Sequence, residues 1–195
     1  MINAIVMASG FSTRMGENKL LMEYRGKTII ENTLNVLSQC NFNEVIIVTQ
    51  YKEILNINNK ENFKYILNNK AHVGQSESIK LGIINSGNCD GYMFFVGDQP
   101  LLNKGDIDNL IKKFKEDKTN IIIPTFENQK GSPVIFPSFL KSKMLMLKND
   151  EKGKKVIDEY DNIKYINVEK ETLLDVDTQI DYENLINMTS RGEIL

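Results

Sequence analysis

Short apolar runs and longer amphipathic segments alternate along this chain from Ile2 to Asn187, and that alternation leaves few folds open. Ile2–Met7, Glu44–Thr49, Lys64–Leu67, Gly91–Val96, Ile121–Pro124, Pro133–Phe136 and Lys164–Val168 read as strands. They are too short for helices, and most are rich in Ile, Val and aromatic residues, which suit a pleated surface. Between them, Thr28 can cap a helix running to Cys40, with Ile30, Leu34 and Leu37 on one face. Ser76–Asn85 follows a helical pattern, and in Asp106–Phe114 the residues Ile107, Leu110, Ile111 and Phe114 keep the i, i+3, i+4, i+7 spacing. Ser138–Leu147, Glu151–Tyr160 and Gln179–Asn187 read as further helices, and the polar segment Ala8–Lys19 reads as a loop. Strand and helix in turn predict an α/β fold of three layers around a largely parallel sheet. With 195 residues, no internal repeat and no linker, the expectation is one domain over 1–187 and a frayed tail over 188–195.

Charge and composition narrow the function. Lys and Arg number 24 against 26 Asp and Glu, a balance that excludes a broad basic face for nucleic acid. No apolar run approaches the roughly 18 residues needed to cross a bilayer. The N-terminus shows no basic segment followed by an apolar one, so a cytoplasmic protein with no membrane partner is expected. Two Cys make neither a disulfide framework nor a four-ligand zinc site.

In open α/β sheets ligands bind beyond the carboxyl ends of the strands. Three such exits carry chemistry. After Met7 comes Ala8-Ser9-Gly10-Phe11-Ser12-Thr13-Arg14, then Gly16 and Lys19. Glycine lets the backbone approach a ligand, successive N–H groups can cradle anionic oxygens, and Arg14 and Lys19 are cations suited to phosphate. The spacing fits neither a Walker A loop nor GxGxxG. An ordinary polar strand-to-helix loop matches the same residues equally well. After Val96 comes Gly97-Asp98-Gln99-Pro100, where Asp98 is either a turn residue or a carboxylate ligand for a hard cation. The third is Asp175-Val176-Asp177-Thr178, whose acids lie on one side of an extended segment and whose Thr178 or Asp177 can cap the last helix.

Taken together and in order, these pieces resemble the molybdenum cofactor cytidylyltransferase family, nucleotidyltransferases of the molybdopterin-guanine dinucleotide synthase-like type. Residues 8–21 resemble that family's phosphate loop, and Gly97–Pro100 its metal-binding GDxP element. Gly74–Ile79 is similar to its GxSxS segment, Gly131-Ser132-Pro133-Val134-Ile135-Phe136 to its G-x-P-V strand, and Asn149–Gly153 to its GDxG segment. Asp175–Thr178 is similar to its DxDT ending. Ser9 stands where the cytidylyl branch more often has Ala and the guanylyl branch Gly. Ser132 stands where His is common, and Gln179-Ile180-Asp181 replaces Pro-Glu-Asp.

The resemblance implies a three-layer Rossmann-like nucleotidyltransferase fold with a mostly parallel, mixed central sheet. It implies transfer of CMP from CTP to the phosphate of molybdopterin with release of pyrophosphate, in the presence of Mg²⁺ or Mn²⁺. Guanylyl transfer to the same cofactor, transfer to another small phosphate, and a non-catalytic carrier of the cofactor are the alternatives. Molybdenum hydroxylases are the implied client enzymes. Lys19, Arg14 and Asp98 are the implied catalytic residues, with Asp98 and either Asp175 or Asp177 as metal ligands. Ala8, Ser9, Gly10, Phe11, Ser12, Thr13, Gly74, Ser76 and Ser78 would meet the nucleotide. Gly131, Ser132 and Pro133 would line the acceptor side. The acceptor phosphate is mostly ionised at neutral pH, since a monoester's second pKa is about 6, so no general base is required. A chain with a single histidine, His72, accords with that.

Overall fold

A computed structural model describes residues 1–57 and 61–190. The chain runs β1 (Ile2–Ala8), β2 (Glu23–Tyr24), β3 (Lys27–Thr28), α1 (Ile29–Leu37), β4 (Glu44–Thr49), α2 (Lys52–Leu55), β5 (Phe63–Leu67), α3 (Gln75–Ile84) and β6 (Gly91–Val96). It continues through α4 (Lys104–Glu116), β7 (Ile121–Phe126), β8 (Gln129–Lys130), β9 (Val134–Pro137), α5 (Lys141–Leu145), α6 (Gly153–Asp158), β10 (Ile163–Asn167) and α7 (Gln179–Ser190). The main sheet has the order β10-β7-β9-β6-β1-β4-β5, with β8 paired to β7. β1 is parallel to β4 and β6, β4 to β5, and β7 to β10. β9 alone in that order runs antiparallel to both of its neighbours. The sheet is therefore mostly parallel and mixed, as expected.

Each face of the sheet buries one apolar cluster, which is what makes three layers. On one face Leu34 and Leu37 of α1 and Ile107, Leu110 and Phe114 of α4 pack over Val6, Ile47 and Phe95. On the other, Ile79 and Ile83 of α3, Met144 of α5 and Val156 of α6 cover Ile5, Val48 and Phe94. α3 lies close on β1 because position 82 is glycine: a Cβ there would overlap Cγ2 of Ile5. A third cluster joins Leu185 of α7 to Tyr24, Ile29 and Leu101. No helix among the described residues is long and apolar enough to cross a membrane.

Several boundaries differ from expectation. Thr28 caps α1 with a full capping box with Glu31, but the helix stops at Leu37, and a tight turn from Cys40 N–H to the Leu37 carbonyl (3.1 Å) follows. Ser138–Leu147 divides into a 3₁₀ turn over Ser138–Leu140 and the short α5. α6 starts at Gly153, because the Glu151 N–H (2.9 Å) and carboxylate (2.8 Å) close a turn on the backbone of Lys148. The β2–β3 hairpin and α2 were not visible in the pattern. The hairpin turns on Arg25 and Gly26, both with positive φ, which is the geometry of a two-residue hairpin loop. α7 continues through residues 188–190, and residues 191–195 of the expected tail lie outside the described ones.

Candidate active site

The loop leaving β1 is shaped by local turns. Ser12 and Gly16 have positive φ, and Met15 N–H donates to the Ser12 carbonyl at 2.9 Å. The carbonyls of Ser9 and Gly10 are held from the β4 exit: Gln50 Nε2 donates to Ser9 at 2.9 Å and the Tyr51 hydroxyl donates to Gly10. Asn18 caps a 3₁₀ turn over Lys19–Leu21 by accepting the Leu20 N–H, and Ser12 Oγ accepts the N–H of Lys19 at 3.2 Å. These contacts fix the direction in which Lys19 leaves the backbone.

Lys19 points at the second and third exits. Its Nζ pairs with Asp98 Oδ2 and donates to Asp177 Oδ1 at 2.7 Å, and Arg14 reaches the other Asp177 oxygen at 3.5 Å. The Lys19 and Asp98 side chains are only 11% and 13% exposed, whereas those of Arg14 and Asp177 are 69% and 44% exposed. Burial by itself would lower the pKa of Lys19. Asp98 and Asp177 more than offset this and leave it raised, so the ammonium is secured. The hydrogen bond from Lys19 is the main reason the Asp177 carboxyl lies below its usual range, with Lys19, Arg14 and Lys152 adding charge. Asp175 goes the other way: desolvation first, then the nearby Asp98 and Asp177, hold its carboxyl above the usual range.

The Asp98 loop is clamped on every side. The Thr33 hydroxyl lies 3.2 Å from the Gly97 carbonyl and 3.1 Å from that of Gln99, and Val176 N–H donates to the Asp98 carbonyl at 3.0 Å. Gln99 is buried, and its Nε2 donates to the carbonyls of Ser132 (3.3 Å) and Thr172 (3.5 Å). The buried Asp98 Oδ1 has no partner among the described residues.

Beside this cluster lies a cavity of about 470 Å³. Ser9, Gly10, Phe11, Lys19, Gly74, Ser78 and Asp98 all line it, so one concave surface gathers expected residues from distant parts of the chain. Ala8 is buried at the strand end, and Ser12, Thr13 and Arg14 lie on the loop outside the cavity wall. Ser76 turns away, its hydroxyl donating to the Asn149 carbonyl at 2.7 Å. Asp175 borders a different cavity of about 340 Å³, below α7. Ser132 lines a third, of about 200 Å³, while Gly131 packs on Leu173 and the Ser132–Pro133 peptide is cis.

Sequence reasoning missed some residues that build this site. Asn68 is buried, and its Nδ2 reaches Ser78 Oγ at 3.1 Å and Ser9 Oγ at 3.4 Å, while Ser9 donates to the Val48 carbonyl at 3.0 Å. A polar residue directly after a strand was the available signal. Gln75, Asp150 and Lys152 also line the large cavity. The loop at 149–150 receives the start of α3, with Gln75 N–H on Asp150 Oδ1 (3.3 Å) and Ser76 N–H on the Asn149 carbonyl (3.3 Å). Gly74 has φ +130°, and a Cβ there would overlap the Asn149 carbonyl, so the two segments close on each other only through glycine.

Known proteins resemble this chain in sequence and in fold. Residues 4–163 match the MobA-like NTP transferase domain. A curated relative from Natranaerobius thermophilus, "Probable molybdenum cofactor guanylyltransferase", is 31% identical over 125 residues, 63% of this chain and 60% of its own length. The match thus spans less than two thirds of that relative. Among solved structures, the Mycobacterium tuberculosis Rv0371c homolog from Mycobacterium sp. strain JC1 superposes with a TM-score of 0.86 at 23% identity, covering 98% of both chains. The manganese complex of Rv0371c from M. tuberculosis H37Rv gives 0.79 at 21% identity, over 95% of this chain and 98% of that one. At these identities the superpositions establish the fold.

Proposed function

Because the chain belongs to the MobA-like NTP transferase domain family, we propose that it transfers a nucleoside monophosphate from CTP to the phosphate of the molybdenum cofactor, releasing pyrophosphate. The observation that carries this reading is the buried Lys19–Asp98 pair, extended by Asp177 and Arg14, on the wall of a nucleotide-sized cavity.

The chain's own groups are suited to gathering anions. Lys19 Nζ sits where an α-phosphate would enter from the cavity, and its carboxylate partners keep it protonated. When a triphosphate arrives, Lys19 exchanges part of its carboxylate contact for phosphate oxygen and stabilises the charge that develops on the attacked group. Arg14, exposed and tied to Asp177 at 3.5 Å, swings onto the outer phosphates. The acceptor phosphate is itself the nucleophile, so the site needs no base.

The donor set fits a hard divalent cation. Asp98 offers a buried, unpartnered oxygen, and Asp177 a carboxylate nearby. No group of three His, Cys, Asp or Glu that could hold a metal exists among the described residues, so one or two carboxylates together with substrate phosphates would have to hold the ion. Such an ion would neutralise phosphate charge and ease the departure of pyrophosphate. We assign this ion, Mg²⁺ or Mn²⁺, to Asp98 and Asp177 on the chemistry of their oxygens; the fold neighbour Rv0371c is itself described as a complex with manganese.

Cytosine is the base proposed because the segments at 74–79, 131–136, 149–153 and 175–178 resemble the cytidylyl branch. GTP is the second reading, favoured by the name of the Natranaerobius relative. A pure carrier has no need of a triphosphate cluster. The test is pyrophosphate release from CTP and from GTP, each with and without molybdenum cofactor. Cofactor-dependent release from CTP is expected. Release from GTP alone moves the chain to the guanylyl reading, and release from neither refutes the proposal.

A further inference from the structure

The loop after β1 is tied to the exit of β4. The two strands run parallel, in register to Ala8 and Thr49, so Ser9 and Gly10 leave the sheet beside Gln50 and Tyr51. The Ser9 hydroxyl donates to the Val48 carbonyl at 3.0 Å, Gln50 Nε2 donates to the Ser9 carbonyl at 2.9 Å, and the Tyr51 hydroxyl donates to the Gly10 carbonyl. Tyr51 is itself fixed: its N–H donates to Thr49 Oγ1 at 3.1 Å, and its half-buried ring packs against the core. Burial pushes its phenol pKa up, which keeps the hydroxyl a donor.

Two carbonyls held on one side fix two N–H groups on the other. The Ser9–Gly10 and Gly10–Phe11 peptides are trans, and in a planar trans peptide the carbonyl and the N–H point in opposite directions. The N–H groups of Gly10 and Phe11 therefore face away from Gln50 and Tyr51. Neither donates to another residue among the described ones. Ser9, Gly10 and Phe11 line the cavity of about 470 Å³, whereas Gln50 and Tyr51 stand behind the loop, off the cavity wall. Gly10 has no positive φ, and a Cβ there would meet no atom within 4 Å, so the fold itself does not require glycine. Two adjacent free N–H groups beside open space suit anionic oxygens. We propose that Gln50 and Tyr51 are positioning residues for a triphosphate: by holding the two carbonyls they aim the N–H groups of Gly10 and Phe11 at the outer phosphates, which Arg14 on the same loop also meets. Neither side chain touches the nucleotide, and both act through the loop. This rests on the reading above, in which the large cavity takes a nucleoside triphosphate, and it adds the residues that preorganise its phosphate subsite.

Calorimetric titration of inorganic tripolyphosphate, CTP and CMP, each with Mg²⁺, into the full chain and its Tyr51→Phe, Gln50→Leu and doubly substituted forms tests this. Phe keeps the ring packed on the core, and CMP lacks the outer phosphates. A hydrogen bond to a charged group is worth about tenfold or more in affinity, and loosening the peptide that presents it forfeits part of that. Each single variant is expected to weaken tripolyphosphate and CTP about three- to tenfold, and the double variant at least about tenfold. CMP affinity should move by less than about twofold, because its contacts are not those being loosened. A purely structural role would instead lower all three affinities together. Tripolyphosphate that does not bind the wild type, triphosphate binding indifferent to the variants, or CMP weakened in parallel overturns the proposal. Variant-sensitive binding of tripolyphosphate and CTP by a chain that releases pyrophosphate with no acceptor leaves the positioning role standing and removes the proposed transfer.

Discussion

Replacing Lys19 with Met keeps the aliphatic stem but removes the ammonium, leaving two carboxylates facing an apolar methyl thioether. Asp98 suffers most: its side chain is 13% exposed, its Oδ1 has no partner, and Lys19 is the ion-pair partner of its Oδ2. Removing one member of a buried pair costs about 3–5 kcal/mol. The low end, about 3 kcal/mol, applies because the neighbouring cavity admits water and the second carboxylate, on Asp177, is 44% exposed. For a chain of this size that lowers Tm by roughly 6–12 °C. Asp98→Asn also loses stability, but in the double variant the neutral amide that replaces the Asp98 carboxylate leaves no uncompensated charge there. A double-mutant cycle by urea denaturation at pH 7 should therefore show a coupling of about 2 kcal/mol between the two sites. Turnover should fall by about 10²–10³ in each single variant. Strictly additive stability effects, or near-normal turnover in Lys19→Met with metal present, would refute the assignment of Lys19.

Other outcomes follow from the same structure. Thr28→Ala removes the capping box of α1 and should cost about 1 kcal/mol in urea denaturation without changing nucleotide binding. The hydroxyl and then the N–H of Thr28 hold the Glu31 carboxyl below its ordinary 4.5, so that contribution is full above pH 4.5 and fades as pH falls through the lowered value. The difference between wild type and Thr28→Ala should accordingly shrink in acid, and a difference that grew in acid would contradict the cap. Gly82→Ala forces a methyl onto Ile5 and should destabilise by about 1–3 kcal/mol, read as a drop in Tm with α3 still helical by circular dichroism. Chelation with EDTA should abolish pyrophosphate release, and either Mg²⁺ or Mn²⁺ should restore it.

Much of this molecule is legible in its sequence because its sheet is buried on both faces. Parallel strands covered by helices read as continuous apolar runs, and Glu44–Thr49 and Gly91–Val96 sit where those runs place them. The elements that escaped notice are held by local turn chemistry or tertiary contact. Arg25–Gly26 makes a hairpin of two-residue strands, and the Lys52–Leu55 helix is a single turn. The site divides in the same way. Lys19 and Asp98 could be found because each follows a strand and belongs to a spaced pattern, and the structure joins them. The pairing with Asp177 closes a contact between residues 158 positions apart, which no local pattern encodes. Asn68 carries no motif and matters because the fold ties it to Ser78 and Ser9, while Lys152, within the segment at 149–153, matters because the fold sets it on the cavity wall.

Nucleotidyl transfer itself is tested most directly with α-³²P-labelled CTP, molybdenum cofactor and Mg²⁺, following the label by chromatography. Transfer of label into a cofactor dinucleotide, with stoichiometric pyrophosphate, by the wild type and not by Lys19→Met is the expected result. Label that stays in CTP, or appears as free CMP whether or not the cofactor is present, would contradict it.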